Sequence, residues 1–208
     1  MMTVERFLVG MIGTNCYLAM NSDTKEAIVI DPGDSADVLI EYVEKNNCRP
    51  VAVLLTHGHF DHCMAAKELS EYYKIPVYVH EEDKETMEKP SWNGSDMIGR
   101  QLIFHADNFF HGEKDQISLA GFDIDVFHTP GHTPGGVCFY VAEEGILFSG
   151  DTLFCESIGR TDFPKGSMAQ IVRSIKGQLL QLPDDTKVLP GHGEYTTIGD
   201  ERVRNPFL

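Results

Sequence analysis

One apolar run in the first third of the chain leads into a cluster of metal-binding side chains. Residues 51–55 are all apolar and predict a buried strand. The turn after this run carries four such side chains within six positions, namely His57, His59, Asp61 and His62. A capped helix start would explain one of them but not four. The cluster is equally hard to explain as core or as a solvated surface, so it predicts a metal site.

Three later segments repeat this arrangement. Apolar runs that end at residues 127, 148 and 189 lead into His132, Asp151 and His192. Loops at strand ends carry the chemistry of many α/β proteins, because a rigid sheet fixes their positions. Four segments can therefore deliver five imidazoles and two carboxylates to one place.

The spacing within the first cluster predicts two ions rather than one. His57 and His59 are two residues apart, so on extended backbone they point the same way and can hold one ion. Asp61 and His62 are adjacent at the expected turn into a helix and can face a second ion. Imidazole and carboxylate ligands suit zinc, iron or manganese. We therefore expect two divalent cations, with zinc favoured and iron or manganese as alternatives.

Composition limits the partners of the chain. Its 208 residues carry a formal net charge of −15, which disfavours binding to nucleic acid or to anionic membrane surfaces. No apolar run approaches the roughly 20 residues of a membrane span, and the first residues do not resemble a signal peptide. The five cysteines are odd in number and scattered, which favours a reducing compartment. A cytoplasmic enzyme with a small-molecule substrate is expected.

Short apolar runs bounded by turn residues predict a strand-rich chain. Strands are expected over 7–10, 16–19, 27–30, 51–55, 75–79, 115–119, 122–128, 136–141, 145–149 and 186–189. Helical spacing predicts helices over 35–46, 63–73 and 167–180. Residues 81–100 are charged and contain Pro90, Gly94 and Gly99, which predicts a short helix followed by a mobile loop. Two strand-rich halves that each carry helices predict one α/β (α+β) domain over residues 1–208.

The motif T-H-x-H-x-D-H, followed in order by G-H-T-P-G, S-G-D-T and G-H-G, resembles the metallo-β-lactamase superfamily. The resemblance covers nearly the whole chain and is greatest to short glyoxalase II-like hydrolases. It implies a four-layer αββα sandwich with the metals at the strand-end edge of its two sheets. The implied ligands are His57, His59 and His132 for one ion, Asp61, His62 and His192 for the other, and Asp151 as the bridge.

The resemblance also implies the reaction. A hydroxide held between two metals would attack the carbonyl of a thioester such as S-lactoylglutathione, with Asp61 and Asp151 as the catalytic carboxylates. The chain ends soon after the last ligand, so we expect no C-terminal helical extension that would bind glutathione. Arg160 and Tyr195 are candidate substrate contacts, although Arg160 could equally form a surface ion pair. The loop 87–100 could fold over the substrate or simply be mobile.

Two alternative activities follow from the same ligands. A persulfide dioxygenase of the same superfamily would hold one iron through His57, His132 and Asp151, a facial triad with open positions for O₂ and a thiol. A lactonase or other ester hydrolase would use the same hydroxide. A nonenzymatic role is disfavoured because none of the expected ligands is missing.

The remaining polar residues near these motifs receive structural interpretations. His80, His105 and His111 are expected at the surface or partly buried, and His128 is expected to support the ligand loop through a hydrogen bond. Asp31 is expected to cap a turn, with an indirect role behind the metal ligands as the lesser alternative. Cys63 is expected to be a small buried residue, and residues 81–83 to be a solvated helix start.

Overall fold

The first half of the chain forms a six-stranded mixed sheet. The computed structural model describes residues 1–208. The strands of this sheet, in spatial order, are β1 (Met2–Val9), β2 (Thr14–Asn21), β3 (Glu26–Ile30), β4 (Arg49–Leu54), β5 (Val77–His80) and β6 (Asn108–Phe110). Strands β1 to β3 are antiparallel, and β3 to β6 are parallel. The parallel strands therefore end at one edge of the sheet.

The second half forms another six-stranded sheet. Its spatial order is β14 (Thr196–Thr197), β13 (Lys187–Pro190), β10 (Ile146–Gly150), β9 (Val137–Val141), β8 (Phe122–His128) and β7 (Lys114–Leu119). Strands β10 and β13 are parallel, and the other neighbours are antiparallel. A small hairpin of β11 (Leu153–Phe154) and β12 (Ser157–Ile158) follows β10.

Seven helices accompany these strands. They are α1 (Ala36–Lys45), α2 (Phe60–Cys63), α3 (Ala66–Tyr73), α4 (Lys84–Glu88), α5 (Pro90–Asn93), α6 (Met168–Gly177) and α7 (Ile198–Arg204). None of them combines the length and hydropathy that crossing a bilayer requires. All five cysteines are free thiols.

Alternation of side chains along the strands explains how four layers pack. Strand β2 is buried on both faces: Tyr17 and Ala19 contact the second sheet, whereas Cys16 and Leu18 belong to the core beneath α1 and α3. The central core between the sheets takes Phe148 and other residues of the second sheet. A third core joins the second sheet to α6 and α7. The predicted αββα sandwich is confirmed.

The expected elements differ from the structure in three ways. Residues 84–98 form α4, α5 and a 3₁₀ turn at Ser95–Ile98, where the sequence predicted mostly a mobile loop. Asn93 explains this order, because its buried amide donates to the carbonyl oxygens of Met87 and Leu102. Strand β1 is longer than expected, because its charged residues lie on an edge strand that pairs along its full length with β2. Strands β6, β11, β12 and β14 and helix α7 were not predicted, and all of them are short.

Candidate metal centre

The predicted metal-binding residues lie together at one edge of the sandwich. Strand β4 of the first sheet leads into His57 and His59, and α2 carries Asp61 and His62. The second sheet supplies the remaining three from the loops after β8, β10 and β13, namely His132, Asp151 and His192. The parallel pairing of β10 with β13 brings their two loops side by side, as the carboxyl ends of parallel strands require.

The seven side chains form three overlapping groups. Within each group the potential ligand atoms lie within 4.8 Å of one another, and the groups are His57 with His59 and His132, His57 with His62 and Asp151, and Asp61 with His62 and His192. The first and third groups coincide with the two ligand sets implied by the sequence. The structure therefore contains two histidine-rich sites that adjoin one another.

Asp151 lies between these two sites. Its Oδ2 is 3.5 Å from Nε2 of His132 and 3.6 Å from Nε2 of His192, while its Oδ1 is 3.4 Å from Nε2 of His62. One carboxylate thus faces histidines from both sites. This is the position that a bridging ligand needs.

Hydrogen bonds behind the histidines point their free nitrogens into the centre. The Nδ1–H of His132 donates to the carbonyl oxygen of Arg160 at 2.7 Å, and that of His62 donates to Asp31 at 2.9 Å. Because these partners can only accept, each ring keeps a proton on Nδ1 and directs its Nε2 into the centre. Nε2 is therefore the nitrogen that each of the two histidines offers to a cation.

Asp31 connects this network to the first sheet, which corrects the expectation that it mainly caps a turn. Its carboxylate accepts hydrogen bonds from the backbone N–H of Thr56 at 2.7 Å, from the Thr56 hydroxyl at 2.6 Å, and from His62. Since the Thr56 hydroxyl donates to Asp31, its oxygen accepts the Nδ1–H of His57 at 3.1 Å. One buried carboxylate thus orients a histidine in each site.

Asp83 also holds the loops of the metal residues in place through hydrogen bonds, although residues 81–83 were expected to be solvated. It is fully buried and accepts from the backbone N–H groups of Gly58 at 2.7 Å and Gly135 at 2.8 Å. The hydroxyls of Thr133 and Thr86 donate to it at 2.8 and 3.2 Å. Asp83 therefore ties the loop of His57 and His59 to the loop of His132. The expectation of solvation was wrong for Asp83, while Glu81 and Glu82 are exposed.

Close backbone packing around Asp151 requires glycine at two positions. A Cβ atom on Gly191 would lie 2.3 Å from Asp151 Oδ1 and 2.7 Å from Cε1 of His62. A Cβ atom on Gly159 would lie 1.8 Å from the carbonyl oxygen of Asp151. Any larger residue would displace Asp151 from its place between the sites.

Burial and neighbouring charges set the protonation of the histidines. Burial, together with the surrounding imidazoles, holds the pKa of His57 and His59 well below the ordinary value. Burial also disfavours a charge on His62, but the carboxylates of Asp61, Asp31 and Asp151 outweigh it and raise the pKa of His62 to about 10. The two halves of the centre thus differ in their affinity for a proton.

The donor set fits metal cations. His62 Nε2 and Asp151 Oδ1 are buried, have no hydrogen-bond partner, and face each other at 3.4 Å. A ring nitrogen and a carboxylate oxygen that face each other in this way require a positive charge between or beside them, either a proton or a metal ion. The hydroxyl of Thr14 donates to Asp61 Oδ2 at 2.9 Å and so orients the carboxylate of the second site. Imidazole and carboxylate together suit zinc, iron and manganese.

The centre lies in a cleft of about 520 Å³. Arg160 lines the cleft, but its guanidinium makes two hydrogen bonds of 2.6 Å to Asp162, as the surface alternative anticipated. Tyr195 lies outside the cleft, because its ring packs beside Tyr17 and under the guanidinium of Arg6. From the segment 87–100, residues 93, 94, 97 and 98 line the cleft.

The other histidines and Cys63 lie outside the three groups of potential metal ligands. His128 makes no hydrogen bond to a metal residue. Its Nε2–H donates to the carbonyl oxygen of Pro134 at 2.8 Å, which confirms its supporting role in the ligand loop. His80 is buried and stacks on His128 with ring centroids 4.0 Å apart, so the expectation of a surface or partly buried position was wrong for His80. His105 and His111 are exposed, as expected. Cys63 is buried at the end of α2, as predicted.

Sequence reasoning underrated the outer partners Asp31 and Asp83 and missed Thr14 and Thr56. A signal for two of them existed. Asp31 and Asp83 follow β3 and β5, the parallel neighbours of β4, and so lie at the edge where β4 delivers its histidines. Thr14 begins a strand that is antiparallel to β3, and no local pattern connects it with Asp61.

The fold and this centre define a family. The sequence pattern of the metallo-beta-lactamase superfamily matches residues 9–192, and the chain belongs to that superfamily. The overlapping histidine-rich sites and the relatives of the chain further identify it as a metallo-hydrolase.

Relatives that match nearly the full length of the chain include the following three. An uncharacterized protein of Mycobacterium tuberculosis is 41% identical over 100% of this chain and 98% of its own length. Hydroxyacylglutathione hydrolase GloC of Haemophilus influenzae is 38% identical over 100% of this chain and 98% of GloC. The probable metallo-hydrolase YqgX of Bacillus subtilis is 38% identical over 98% of this chain and 96% of YqgX.

Crystal structures with the same fold include the following two. That of BLEG-1 B3 metallo-beta-lactamase superposes with a TM-score of 0.94 at 42% identity and covers 99% of both chains. That of TTHA1623 in a di-iron-bound form superposes with a TM-score of 0.86 at 37% identity, covering 98% of this chain and 100% of the other.

Proposed function

We propose that this metallo-hydrolase cleaves thioesters. The observation that carries the proposal is the position of Asp151, which faces histidines of both sites at the floor of a cleft large enough for a small-molecule substrate. The full-length similarity to hydroxyacylglutathione hydrolase GloC supports a thioester as the substrate class. S-lactoylglutathione is therefore the first thioester to test.

The residues present divide the work of binding two cations. His57, His59 and His132 would hold one ion, Asp61, His62 and His192 the other, and Asp151 would contact both. When bound, two divalent cations would polarise the thioester carbonyl and lower the pKa of water to about 7, so that hydroxide is available at neutral pH. Zinc is the favoured metal, and iron is an alternative because TTHA1623 has a di-iron-bound form.

The protein itself orients the metal-binding histidines and surrounds the centre with largely apolar side chains. Asp31 and the carbonyl oxygen of Arg160 keep the protons of His62 and His132 on the outer nitrogens. Phe60 and Phe163 line the cleft beside the metal residues and would exclude water from around a bound carbonyl. Asp61 and Asp151 are the two carboxylates that line the cleft.

Elemental analysis and turnover measured on one sample test the proposal. We expect two equivalents of divalent metal per chain and release of a free thiol from S-lactoylglutathione or another thioester. A single equivalent of iron, with oxygen consumption when a persulfide is supplied, would instead favour the dioxygenase alternative. Loss of thiol release after chelation, and its return with added metal, would show that the activity belongs to the centre.

Hydrolysis of β-lactams is a second candidate. The chain is 42% identical to BLEG-1 B3 metallo-beta-lactamase over 99% of both chains, which supports it. A β-lactam amide presents a carbonyl to the same centre but releases no thiol. Comparing kcat/KM for a cephalosporin and for a thioester on the same metal-loaded sample decides between the two activities.

A further inference from the structure

The cleft above the metal residues has largely apolar walls. Apart from the metal residues, its main lining side chains are Ile12, Phe60, Met97, Ile98, Phe154 and Ile158. A second depression of about 200 Å³ shares Ile12, Phe60 and Ile98 with the cleft and extends this surface through Val9 and Met11. Apolar surface therefore continues from the metal centre across the mouth of the cleft.

The polar side chains of the cleft are largely occupied by the protein itself. Both amide hydrogens of Asn93 are donated to backbone carbonyls, and its oxygen accepts from the backbone N–H of Ser95. Arg160 donates to both oxygens of Asp162 and lies over the ring of Phe163, 4.4 Å from its centroid. Only the hydroxyl of Ser157 remains free among the side chains other than the metal residues.

The charged side chains in and beside the walls of the cleft give an anionic ligand little attraction away from the metal residues. Arg160 is the only basic residue that lines it, and Asp162 neutralises that charge. Arg100 lines the adjoining depression, but three carboxylates share the neighbouring surface with it: Asp34, Asp37 and Glu68. The chain as a whole carries a net charge of −15. The one basic side chain in the wall of the cleft is therefore already paired and is not free to bind the carboxylates of glutathione.

We infer that the cleft selects thioesters whose groups beside the reacting carbonyl are apolar and uncharged, in preference to thioesters of glutathione. This inference rests on the proposed function for the identity of the reacting bond. The selectivity itself follows from the walls of the cleft, so it also applies to molecules that cannot react. Binding of unreactive analogues therefore tests it independently of turnover.

Matched thioethers, which lack the reacting carbonyl, provide that test. S-alkyl N-acetylcysteamine is neutral, whereas S-alkylglutathione with the same alkyl chain is anionic. In calorimetric titration of the metal-loaded protein, the affinity of the neutral series should rise about 4-fold for each methylene of the alkyl chain that the cleft buries. At equal chain length the glutathione thioether should bind at least 10-fold more weakly. Equal or tighter binding of the glutathione series, or no effect of chain length, would overturn the inference.

A variant with a cation in the wall makes the test specific to the cleft. Ile98→Lys should weaken binding of the neutral ligand S-octyl N-acetylcysteamine at least 10-fold. The same variant should strengthen binding of S-octylglutathione. Val203→Lys is the matched control, because Val203 is 84% exposed on α7 and lies outside the cleft. Identical effects of both variants on either ligand would contradict the assignment.

A second variant does not depend on how the protein tolerates a lysine in the wall. Asp162→Asn changes an exposed residue and frees the guanidinium of Arg160. It should strengthen binding of S-alkylglutathione several-fold and leave the neutral thioether unchanged. Unchanged binding of S-alkylglutathione would contradict the inference that Arg160 is neutralised in the native cleft.

Turnover separates this inference from the proposed function. If the neutral thioethers bind better but no thioester is hydrolysed by the metal-loaded protein, the proposed function fails and the selectivity of the cleft stands. If S-lactoylglutathione is hydrolysed with a higher kcat/KM than every neutral acyl thioester, the proposed function stands and the inference fails.

Discussion

His62 donates a hydrogen bond of 2.9 Å from Nδ1 to the carboxylate of Asp31, although the two residues are 31 positions apart in the chain. Asp31 follows β3, and β3 pairs in parallel with β4, whose end leads into the histidine cluster. The backbone at Asp31 has a φ of 51°, a left-handed conformation that is uncommon for a residue other than glycine. The surrounding hydrogen bonds hold this conformation and place the carboxylate behind a metal residue.

Replacement of Asp31 by asparagine should weaken metal binding without unfolding the protein. The asparagine nitrogen would replace either Oδ1, which accepts the Thr56 backbone N–H, or Oδ2, which accepts both the Thr56 hydroxyl and the His62 Nδ1–H. At least one hydrogen bond is lost in either case. Loss of such an outer partner typically lowers metal affinity by about 10- to 100-fold. Competition with a chromophoric chelator measures the change. Asp37→Asn on the exposed side of α1 is the control, and equal affinities for the two variants would contradict the role of Asp31.

Replacement of Asp83 should loosen both loops that carry the histidines of the first site. Asp83→Ala leaves four donors without their acceptor, and each buried unsatisfied group costs about 1–3 kcal/mol. We expect the free energy of unfolding in urea to fall by about 3 kcal/mol or more. Glu88→Gln is the matched control, since Glu88 is exposed on the neighbouring helix. A loss confined to metal affinity, with unchanged unfolding, would contradict this structural role.

A single methyl group at Gly191 should disrupt the centre. In Gly191→Ala the added carbon would meet Asp151 Oδ1 and His62 within van der Waals distance, so both residues must shift. Because displacements near 1 Å can cost about 100-fold in rate, turnover should fall by at least that factor. Gly177→Ala is the control: nothing lies within 4 Å of a Cβ there, and activity should be retained. Thiol release and metal content would be measured for both variants.

The metal residues were readable from sequence because they share a local signature, the end of an apolar run. His57, Asp151 and His192 each stand within a few residues of such an end, beside glycine. The α/β class followed from the alternation of short strands with helices, and the αββα sandwich was implied by the family resemblance that the order of these motifs carries. Both signals are short in range, so one sequence suffices to detect them.

The hydrogen bonds behind those residues depend on which strands become neighbours. Asp83 was interpreted as solvated because Glu81 and Glu82 precede it, and nothing local shows that the loops of Gly58 and Gly135 close over it. The order of residues 84–98 likewise depends on Asn93, whose acceptors lie before and after its own helix. Such contacts exist only after the layers have packed, and local patterns do not encode them.

Asp151→Asn should affect both sites at once. The carboxylate faces His62, His132 and His192 at 3.4–3.6 Å, and an amide carries no charge to balance two cations. We expect metal content to fall below two equivalents per chain and thiol release to be nearly abolished. Elemental analysis of the purified variant measures the first effect and a thiol assay the second. Full activity in this variant would refute the bridging position.

Metal binding near neutral pH should release a proton from His62. Burial opposes protonation of this imidazole, but Asp61, Asp31 and Asp151 outweigh it and raise the pKa of His62 to about 10 in the metal-free chain. The pKa of His57 and His59 is lowered, so those two residues are already neutral. A cation at the second site must displace the proton on His62 Nε2, so metal affinity should rise about tenfold per pH unit around pH 7. In the metal-free protein, the stabilisation from the charged imidazole is present below the unfolded pKa near 6.5 and is lost as pH rises through about 10. Calorimetric titration of metal in buffers of different ionisation enthalpy counts the released protons, and a count of zero at pH 7 would contradict the protonated state of His62.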